Sequence, residues 1–135
     1  MVRTPPRLIL LVDDDEDIRE ALTELLCDEG FTVHAVNNGL EAIDWLHDAR
    51  HVPHVVLLDL MMPVMDGRTF LSVREDDPYL SRVPVVVITA ERAVADLAVK
   101  HCLWGILPKP IVLESLLEMI DRDPREQTHP VALRR

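Results

Sequence analysis

Five short apolar runs, separated by stretches with helical periodicity, constrain the fold of this chain more than any other feature. The runs are LILLV, FTVHAV, HVVLLDL, VPVVVIT and LWGIL, at residues 8–12, 31–36, 54–60, 83–89 and 103–107. They are too short for helices, and several are rich in branched residues, as buried strands are. Strands that alternate with helices predict a doubly wound α/β fold, in which helices cover both faces of a five-stranded parallel sheet.

Three of the intervening stretches carry clear helix signals. An apolar face precedes a glycine in the first, a capping box opens the second, and a leucine-rich face marks the last. The residues are Ile18, Leu22, Leu25 and Gly30 for the first, Asn38 and Glu41 for the second, and Leu113, Leu116, Leu117 and Ile120 for the last. Weaker patterns at 66–75 and 91–101 are interpreted as helices because parallel strands need crossovers.

One domain over residues 7–122 accounts for most of the 135 residues, a length that falls short of two ordinary domains. Residues 123–135 carry two prolines and little periodicity, which indicates a frayed tail. No stretch is apolar over the roughly 20 residues that a membrane span needs. Acids follow the first apolar run at once, unlike in a signal peptide. We therefore expect a cytoplasmic protein with no membrane contact.

The charge balance argues against nucleic-acid binding. Lys and Arg number 14 against 24 Asp and Glu, giving a formal charge of −10. Binding to nucleic acid needs a concentrated basic face. Cys27 and Cys102 are far apart in sequence and fit reduced, half-buried thiols in a reducing compartment better than a disulfide framework. The expected partners are therefore proteins.

Five consecutive acids, Asp13 to Asp17, follow the first apolar run. Two carboxylates about 4 Å apart disfavour each other by ~4 kcal/mol at an effective dielectric near 20, so something must compensate. Doubly wound sheets bind ligands beyond the carboxyl ends of their strands, and there Asp13, Asp14 and Asp59 would converge. Carboxylate oxygens are the ligands that Mg²⁺ prefers. The sequence therefore predicts a magnesium site at this rim.

Asp59, Thr89 and Lys109 fall at the same rim because each closes or follows a predicted strand. A carboxylate can attack phosphorus and form an aspartyl phosphate if the charge developing on the transferring oxygens is neutralised. Mg²⁺, the Lys109 ammonium and the Thr89 hydroxyl are suitable neutralising groups. Each also has a plainer interpretation, since acids favour helix starts, threonines end strands, and a lysine between prolines suits a solvated loop.

Other candidate sites are weaker. His47, His51 and His54 straddle a helix end and a loop without supporting cysteines, and we interpret them as surface residues. No phosphate-cradling glycine loop occurs, and the serines lack the glycine context of a nucleophile elbow. Those serines are Ser72, Ser81 and Ser115. Hydrolase and nucleotide-binding functions are therefore disfavoured.

Four segments match one family. LILLVDDDEDIRE, VVLLDLMMPVMDG, VVVITA and LPKP resemble, in order and spacing, the signatures of the response-regulator receiver domain of bacterial two-component signalling. The resemblance covers about residues 7–122 and implies the flavodoxin-like strand order 2-1-3-4-5. It also implies that Asp59 accepts a phosphoryl group from a phosphohistidine, on a sensor histidine kinase or a histidine phosphotransfer protein.

The resemblance assigns further roles at the rim. Asp14 would bind Mg²⁺ directly, Asp13 through water, and Met61 through its backbone carbonyl. Lys109 would pair with the phosphoryl group, and Thr89 would move toward it. The remaining acids of the run are left to the helix start, where negative charge is favourable. They are Asp15, Glu16 and Asp17.

Two further features follow from the comparison with the family's signatures. Pro63 and Gly67 resemble the turn after the acceptor, and Lys109–Pro110 resembles a bond that is cis in the family. The chain departs from the pattern at Ile106, where a Tyr or Phe usually moves with the threonine as a switch. Trp104 is two residues earlier and so expected on the same face of the strand, which makes it a hypothetical reporter of activation.

The principal interpretation is a stand-alone receiver, a switch that catalyses only its own phosphorylation and is not a turnover enzyme. Its output would be a contact with an unidentified protein, or with a second copy of the chain through the last helix and the neighbouring strand. Two alternatives stay open: a phosphate-independent interaction module with a receiver fold, and a receiver excised from a larger hybrid kinase or regulator.

Overall fold

The five predicted strands form one parallel sheet in a computed structural model that describes residues 7–49 and 52–121. The strands are β1 (Leu8–Val12), β2 (Thr32–Val36), β3 (Val55–Asp59), β4 (Val85–Thr89) and β5 (Gly105–Pro108). Their order is β2-β1-β3-β4-β5, which confirms the predicted doubly wound, flavodoxin-like fold. The predicted tail at 123–135 and His51 lie outside the described residues.

Among the described residues, four helices and one 3₁₀ turn at Leu80–Arg82 connect the strands, and a fifth helix follows β5. The helices are α1 (Glu16–Asp28), α2 (Gly39–Ala49), α3 (Gly67–Asp76), α4 (Ala95–Lys100) and α5 (Leu113–Ile120). The predicted cap of α2 is present, since the Asn38 side chain accepts the Glu41 N–H at 3.0 Å. The Glu41 carboxylate accepts the N–H of Asn37 at 2.9 Å, one residue before the cap.

Side chains alternate along the strands and fill two cores, one on each face of the sheet. The α2–α4 core lies beneath α2, α3 and α4 and includes Leu10, Leu58 and Phe70. The α1/α5 core lies beneath α1 and α5 and includes Leu11, Leu57 and Leu116. Burying each such side chain contributes roughly 1.5–3 kcal/mol, so the two cores hold the strand ends in place.

Helix α1 departs slightly from its predicted apolar face. Leu22 and Leu26 are buried, whereas Leu25 is exposed. The helix ends before Gly30, as predicted, and that glycine adopts a φ of +96°. A left-handed conformation of this kind is costly for residues with a Cβ, so glycine suits the position.

Trp104 and Ile106 lie on opposite faces of the sheet, so the prediction of a shared face is wrong. Trp104 is buried in the α1/α5 core, whereas Ile106 packs against the α2–α4 core. The reason is that β5 begins at Gly105, which leaves Trp104 outside the regular alternation of the strand. Trp104 is therefore poorly placed to replace the aromatic residue that usually occupies position 106.

The amino end of the sheet partly covers a histidine that we predicted to be on the surface. His54 is half-buried, and a ring nitrogen contacts the carbonyl oxygen of Ile120. Its ring meets that of Trp104 edge-on, with centroids 5.4 Å apart. His54 therefore ties the start of β3 to the end of α5.

Arg7 closes the same end of the sheet. Its guanidinium lies 4.7 Å from the centre of the Phe31 ring and 2.9 Å from an Asp121 carboxylate oxygen. These contacts connect the residue before β1 with the residues that precede β2 and follow α5. We call Arg7, Phe31, His54, Trp104, Ile120 and Asp121 the amino-end cluster.

Two expectations drawn from composition have different outcomes. Cys27 and Cys102 are free thiols, as predicted, but both are exposed and not half-buried. Within residues 7–49 and 52–121, no helix has the length and apolar character needed to cross a bilayer, as expected.

Candidate phosphoacceptor and metal site

The carboxyl ends of four strands bring the predicted site residues to one rim. Asp13 follows β1, Asp59 and Thr89 are the last residues of β3 and β4, and Lys109 follows β5. Parallel pairing aligns these ends, with Asp59 opposite Ile88 in the register. Asp13, Asp59 and Thr89 are all at least 95% buried. Buried polar groups at a strand end require partners, which the rim supplies in part.

Three carboxylates lie together at this rim. One oxygen from each of Asp13, Asp14 and Asp59 lies within 4.8 Å of the other two. Asp14 is exposed, so the cluster opens to solvent on one side. Hard oxygen donors in a partly open group are the ligand set that suits Mg²⁺, which keeps several waters. Among the described residues, this is the only group of three or more such side chains that could hold a metal ion.

Lys109 supplies a positive charge to the cluster. Its Nζ lies 3.4 Å from Asp59 Oδ2 and 3.8 Å from Asp13 Oδ2. The Lys109–Pro110 bond is cis, as the resemblance implied. One ammonium against three carboxylates leaves the rim negatively charged. A bound metal cation would neutralise the remaining negative charge.

The pKa of Asp13 reflects the cost of burying carboxylates so close together. Burial raises the pKa of its carboxyl group, and the nearby Asp59 and Asp14 charges add to that effect. The backbone N–H of Asp15 donates to Asp13 Oδ1 at 2.9 Å and acts in the opposite direction, as does Lys109. The rise is therefore what remains of a desolvation cost that the nearby donors only partly offset.

The remaining acids of the run serve the helix, as predicted. Asp15 caps α1, since its Oδ1 accepts the N–H groups of Asp17 and Ile18 at 3.0 and 3.2 Å. Glu16 and Asp17 occupy the first turn, where the helix dipole favours negative charge. The run of five acids thus divides between the rim and the start of α1.

The loop after Asp59 is shaped by a close backbone approach at Gly67. A Cβ on Gly67 would lie 2.7 Å from the Asp59 carbonyl oxygen and 2.7 Å from the Leu60 Cα. The Gly67 N–H donates to the Leu60 carbonyl at 2.9 Å, and the Met61 N–H donates to Asp59 Oδ1 at 3.3 Å. Glycine is required here for space. The role predicted for the Met61 carbonyl as a metal ligand stays a prediction.

Thr89 points its hydroxyl into a local turn. Its Oγ1 accepts the backbone N–H of Glu91 at 3.0 Å. Ile106, the predicted partner of Thr89 in switching, is half-buried against the α2–α4 core. Both residues lie where the resemblance implied, and their movement stays a prediction.

Sequence reasoning missed an ion pair beside Thr89. Arg68 Nη1 and Nη2 lie 3.2 and 2.8 Å from the two carboxylate oxygens of Glu91, a bidentate contact between α3 and the residues after β4. The two residues are 23 positions apart, so no local pattern relates them. The only available signal was the fold itself, which places the ends of β3 and β4 side by side.

The other candidate residues that the structure describes do not form a metal site. His47 pairs with Asp77 at 2.8 Å on the surface, and Ser81 donates its hydroxyl to the Pro78 carbonyl. His54 belongs to the amino-end cluster, at the opposite end of the sheet. The predicted chemistry is therefore concentrated at the carboxyl-end rim.

Comparison with known proteins agrees with this geometry. Residues 9–121 match the family described as response regulator receiver domain. The transcriptional regulatory protein CpxR homolog of Haemophilus influenzae is 38% identical over 125 residues, which cover 90% of this chain and 52% of that protein. The chain spans about half the length of the curated relatives it matches.

Solved structures show the same fold. The chemotaxis response regulator CheY4 of Vibrio cholerae aligns with a TM-score of 0.75 and 27% identity, covering 87% of this chain and 98% of that one. The Mn²⁺-bound form of response regulator Rcp1 aligns with a TM-score of 0.70 and 29% identity, covering 85% and 89% of the two chains. In both comparisons the alignment takes in nearly all of the solved chain.

Proposed function

Since this chain belongs to the response regulator receiver domain family, we propose that it is a Mg²⁺-dependent switch that takes a phosphoryl group onto Asp59. The observation that carries the proposal is the position of the Lys109 ammonium, 3.4 Å from Asp59 within a group of three carboxylates. An acceptor, a cation and a metal-ligand set thus occupy one rim. Receiver domains of this family are signalling modules that take part in two-component systems.

The transfer is a displacement at phosphorus. An Asp59 carboxylate oxygen forms the new O–P bond while the P–N bond to the donor imidazole breaks. The electron pair remains on the imidazole nitrogen, which then takes a proton from solvent. Lys109 neutralises negative charge on the transferring oxygens, and the Thr89 hydroxyl is placed to donate to one of them once it turns toward Asp59.

Asp13, Asp14, Asp59 and the Met61 carbonyl would hold the Mg²⁺. When bound, the ion supplies charge neutralisation for the acceptor and for the phosphoryl oxygens. The donor set supports this assignment, because three carboxylates beside a single lysine leave negative charge uncompensated. A similar solved receiver is described as a Mn²⁺-bound form.

The donor would be a phosphohistidine on a sensor histidine kinase or on a histidine phosphotransfer protein. The output would be a protein contact, since phosphorylation adds about −1.5 to −2 charges at the rim and can bias a nearby loop and helix. The net charge of −10 makes nucleic acid an unsuitable direct partner for this segment. Cytoplasmic location agrees with this chemistry.

The test is intact mass after incubation with acetyl phosphate, with and without Mg²⁺. We expect one phosphoryl adduct that requires Mg²⁺ and is absent from Asp59→Asn. Asp44→Asn makes the same chemical change at an exposed position of α2 and is the matched control. Normal labelling of Asp59→Asn would refute the acceptor assignment.

The alternative functions give different results in the same experiment. Absence of both the adduct and Mg²⁺ binding would favour a phosphate-independent interaction module, for which Ile106 in place of an aromatic residue is the supporting observation. Absence of the adduct with Mg²⁺ bound, followed by labelling from a phosphohistidine protein, would identify a receiver that is specific for its donor.

A further inference from the structure

The segments that precede and follow α4 are bonded to arginines of α3. Before α4, the bidentate Arg68–Glu91 pair connects the first turn of α3 to the segment at residues 90–94. After α4, Arg74 Nη1 donates to the His101 carbonyl at 2.9 Å, and its Nε donates to the Val83 carbonyl at 3.0 Å. The α4 helix has only six residues and no side-chain cap at its start. Buried Leu97 and Ala98 hold the helix itself against the core, and the external contacts fix the segments on either side of it.

The two contacts differ in how easily they can be broken. Arg74 is 5% exposed, and breaking its bonds would leave a buried guanidinium without partners, which is costly. The side chains of Arg68 and Glu91 are 46% and 35% exposed, so water can replace their contact. The Arg68 end of α4 is thus the releasable one.

The releasable contact is joined directly to Thr89. The backbone N–H of Glu91 donates to Thr89 Oγ1, and the carboxylate of the same Glu91 is held by Arg68. Arg68 in turn follows Gly67, whose N–H is bonded to Leu60 at the end of β3. Arg68 is therefore fixed relative to the acceptor strand, whereas Glu91 belongs to the segment that must follow Thr89.

We propose that Arg68 is a positioning residue that opposes phosphoryl retention at Asp59 by holding Glu91, and through it Thr89, in the unphosphorylated arrangement. Turning the Thr89 hydroxyl toward Asp59 carries the Glu91 backbone with it. A bidentate contact needs two distances kept at once, so this movement breaks it. This inference concerns regulation of the site and rests on the proposed function.

The test measures affinity for beryllium fluoride, a stand-in for the phosphoryl group, in saturating Mg²⁺ by isothermal calorimetry. Arg68→Gln and Glu91→Gln are each expected to bind it about two- to fivefold more tightly than the unsubstituted chain, the range for a partly exposed ion pair. The initial rate of labelling by acetyl phosphate should rise by a similar factor. Arg82→Gln and Glu118→Gln change the same charges at exposed positions away from the pair and should leave both quantities unchanged.

Two further variants separate positioning from a general effect on structure. Arg68→Glu combined with Glu91→Arg should restore the original affinity, because the pair is reversed but kept. In a Thr89→Ala background, Arg68→Gln should have no effect on beryllium fluoride affinity, because the hydroxyl through which it acts is gone. Mg²⁺ affinity should stay the same in Arg68→Gln, as neither residue of the pair contacts the metal ligands.

The outcomes distinguish this inference from the proposed function. If the unsubstituted chain binds beryllium fluoride and Arg68→Gln binds it no more tightly than Arg82→Gln does, the inference is overturned while the proposed function stands. A full effect of Arg68→Gln in the Thr89→Ala background would also overturn it. If the unsubstituted chain takes neither acetyl phosphate nor beryllium fluoride, the proposed function itself fails.

Discussion

The two ends of the sheet differ in how completely their charged side chains are paired. At the carboxyl end, three carboxylates lie within 4.8 Å of one another and Lys109 offsets only part of their charge. At the amino end, the amino-end cluster pairs a cation with both a ring and a carboxylate and buries Trp104 among apolar side chains. In this chain, partly uncompensated negative charge lies at the end of the sheet where the phosphoryl chemistry is proposed, whereas the Arg7 and Asp121 charges at the far end compensate each other.

The largest expected effect on stability is at the amino end. Trp104→Ala should lower the free energy of unfolding by about 3–5 kcal/mol, because it empties a buried site in the α1/α5 core. Denaturant unfolding measures the loss, and intact mass measures labelling of the molecules that stay folded. Trp104→Phe, which keeps most of the packing, should lose far less. Slower labelling of Trp104→Phe would show that packing at the amino end affects the chemistry at the carboxyl end.

The largest expected effect on chemistry is at the carboxyl end. Lys109→Ala should slow labelling by acetyl phosphate about 10²–10³-fold, the loss typical of removing one group that stabilises transition-state charge. Mg²⁺ binding, followed by titration, should be largely intact because Lys109 is not a metal ligand. Lys100→Ala removes an exposed lysine at the end of α4 and is the matched control. An unchanged labelling rate would remove Lys109 from the mechanism.

Gly67→Ala tests whether the close backbone approach at the carboxyl end of the sheet is needed for stability and for labelling. The added Cβ would meet backbone atoms of Asp59 and Leu60, which cannot give way as a side chain can. We expect a loss of about 1–3 kcal/mol in denaturant unfolding, together with slower labelling. Gly105→Ala is the control, since the nearest atoms to its Cβ would belong to the flexible Met119 side chain. Equal losses in the two variants would show that the backbone approach is unimportant.

Asp13→Asn tests the electrostatic cost directly in protein freed of divalent ions. The native pKa of Asp13 is raised above the ordinary value of 3.8, so the native chain holds this proton more tightly than the unfolded chain does. The resulting stability is present below 3.8 and is lost as pH rises through the native pKa. At pH 7, Asn at this position should therefore stabilise the metal-free protein, on the order of 1 kcal/mol.

Two further measurements test the prediction for Asp13→Asn. Added Mg²⁺ should raise the thermal midpoint of the unsubstituted chain more than that of Asp13→Asn, because the variant lacks one of the three carboxylate charges that attract the ion. Asp44→Asn, at an exposed position, should change neither quantity. A metal-free Asp13→Asn protein that is less stable at pH 7 would mean that the carboxylates do not oppose folding.

The smallest effect is expected of Arg7→Gln. The ion pair with Asp121 is exposed, and the Arg7 side chain that covers the buried Phe31 ring is itself 38% exposed, so the loss should be below about 1 kcal/mol and should shrink in high salt. Thermal unfolding at two salt concentrations measures it. Labelling by acetyl phosphate should not change. A loss of stability as large as that of Trp104→Ala would show that charge, and not packing, stabilises the amino end of the sheet.

The fold was predictable because its inner strands are buried on both faces. Runs such as VVLLD and VVVIT are apolar at nearly every position, and in the structure β3 and β4 are buried throughout. Helix α4 was less predictable. It begins at Ala95 and not near residue 91, because Glu91 is engaged by Thr89 and Arg68 instead of starting the helix.

The site was predictable to the extent that it lies at strand ends. Asp13, Asp59, Thr89 and Lys109 each close or follow an apolar run, and parallel pairing brings such residues together. The sequence did not predict the contacts and side-chain orientations that depend on how separate elements pack together. The Arg68–Glu91 pair, the opposite orientations of Trp104 and Ile106, and the burial of His54 all depend on where neighbouring elements lie.

The strand order also fixes the sequence in which the rim is assembled during synthesis. The interior strand β1 is made first, β2 is added on one side, and β3, β4 and β5 follow outward on the other. A growing chain that has completed β3 already carries Asp13, Asp14 and Asp59, whereas Lys109 lies some 50 residues further along. The segment after the last strand therefore brings the ammonium that contacts Asp13 and Asp59, so docking of β5 completes the sheet and offsets part of the repulsion in the same event.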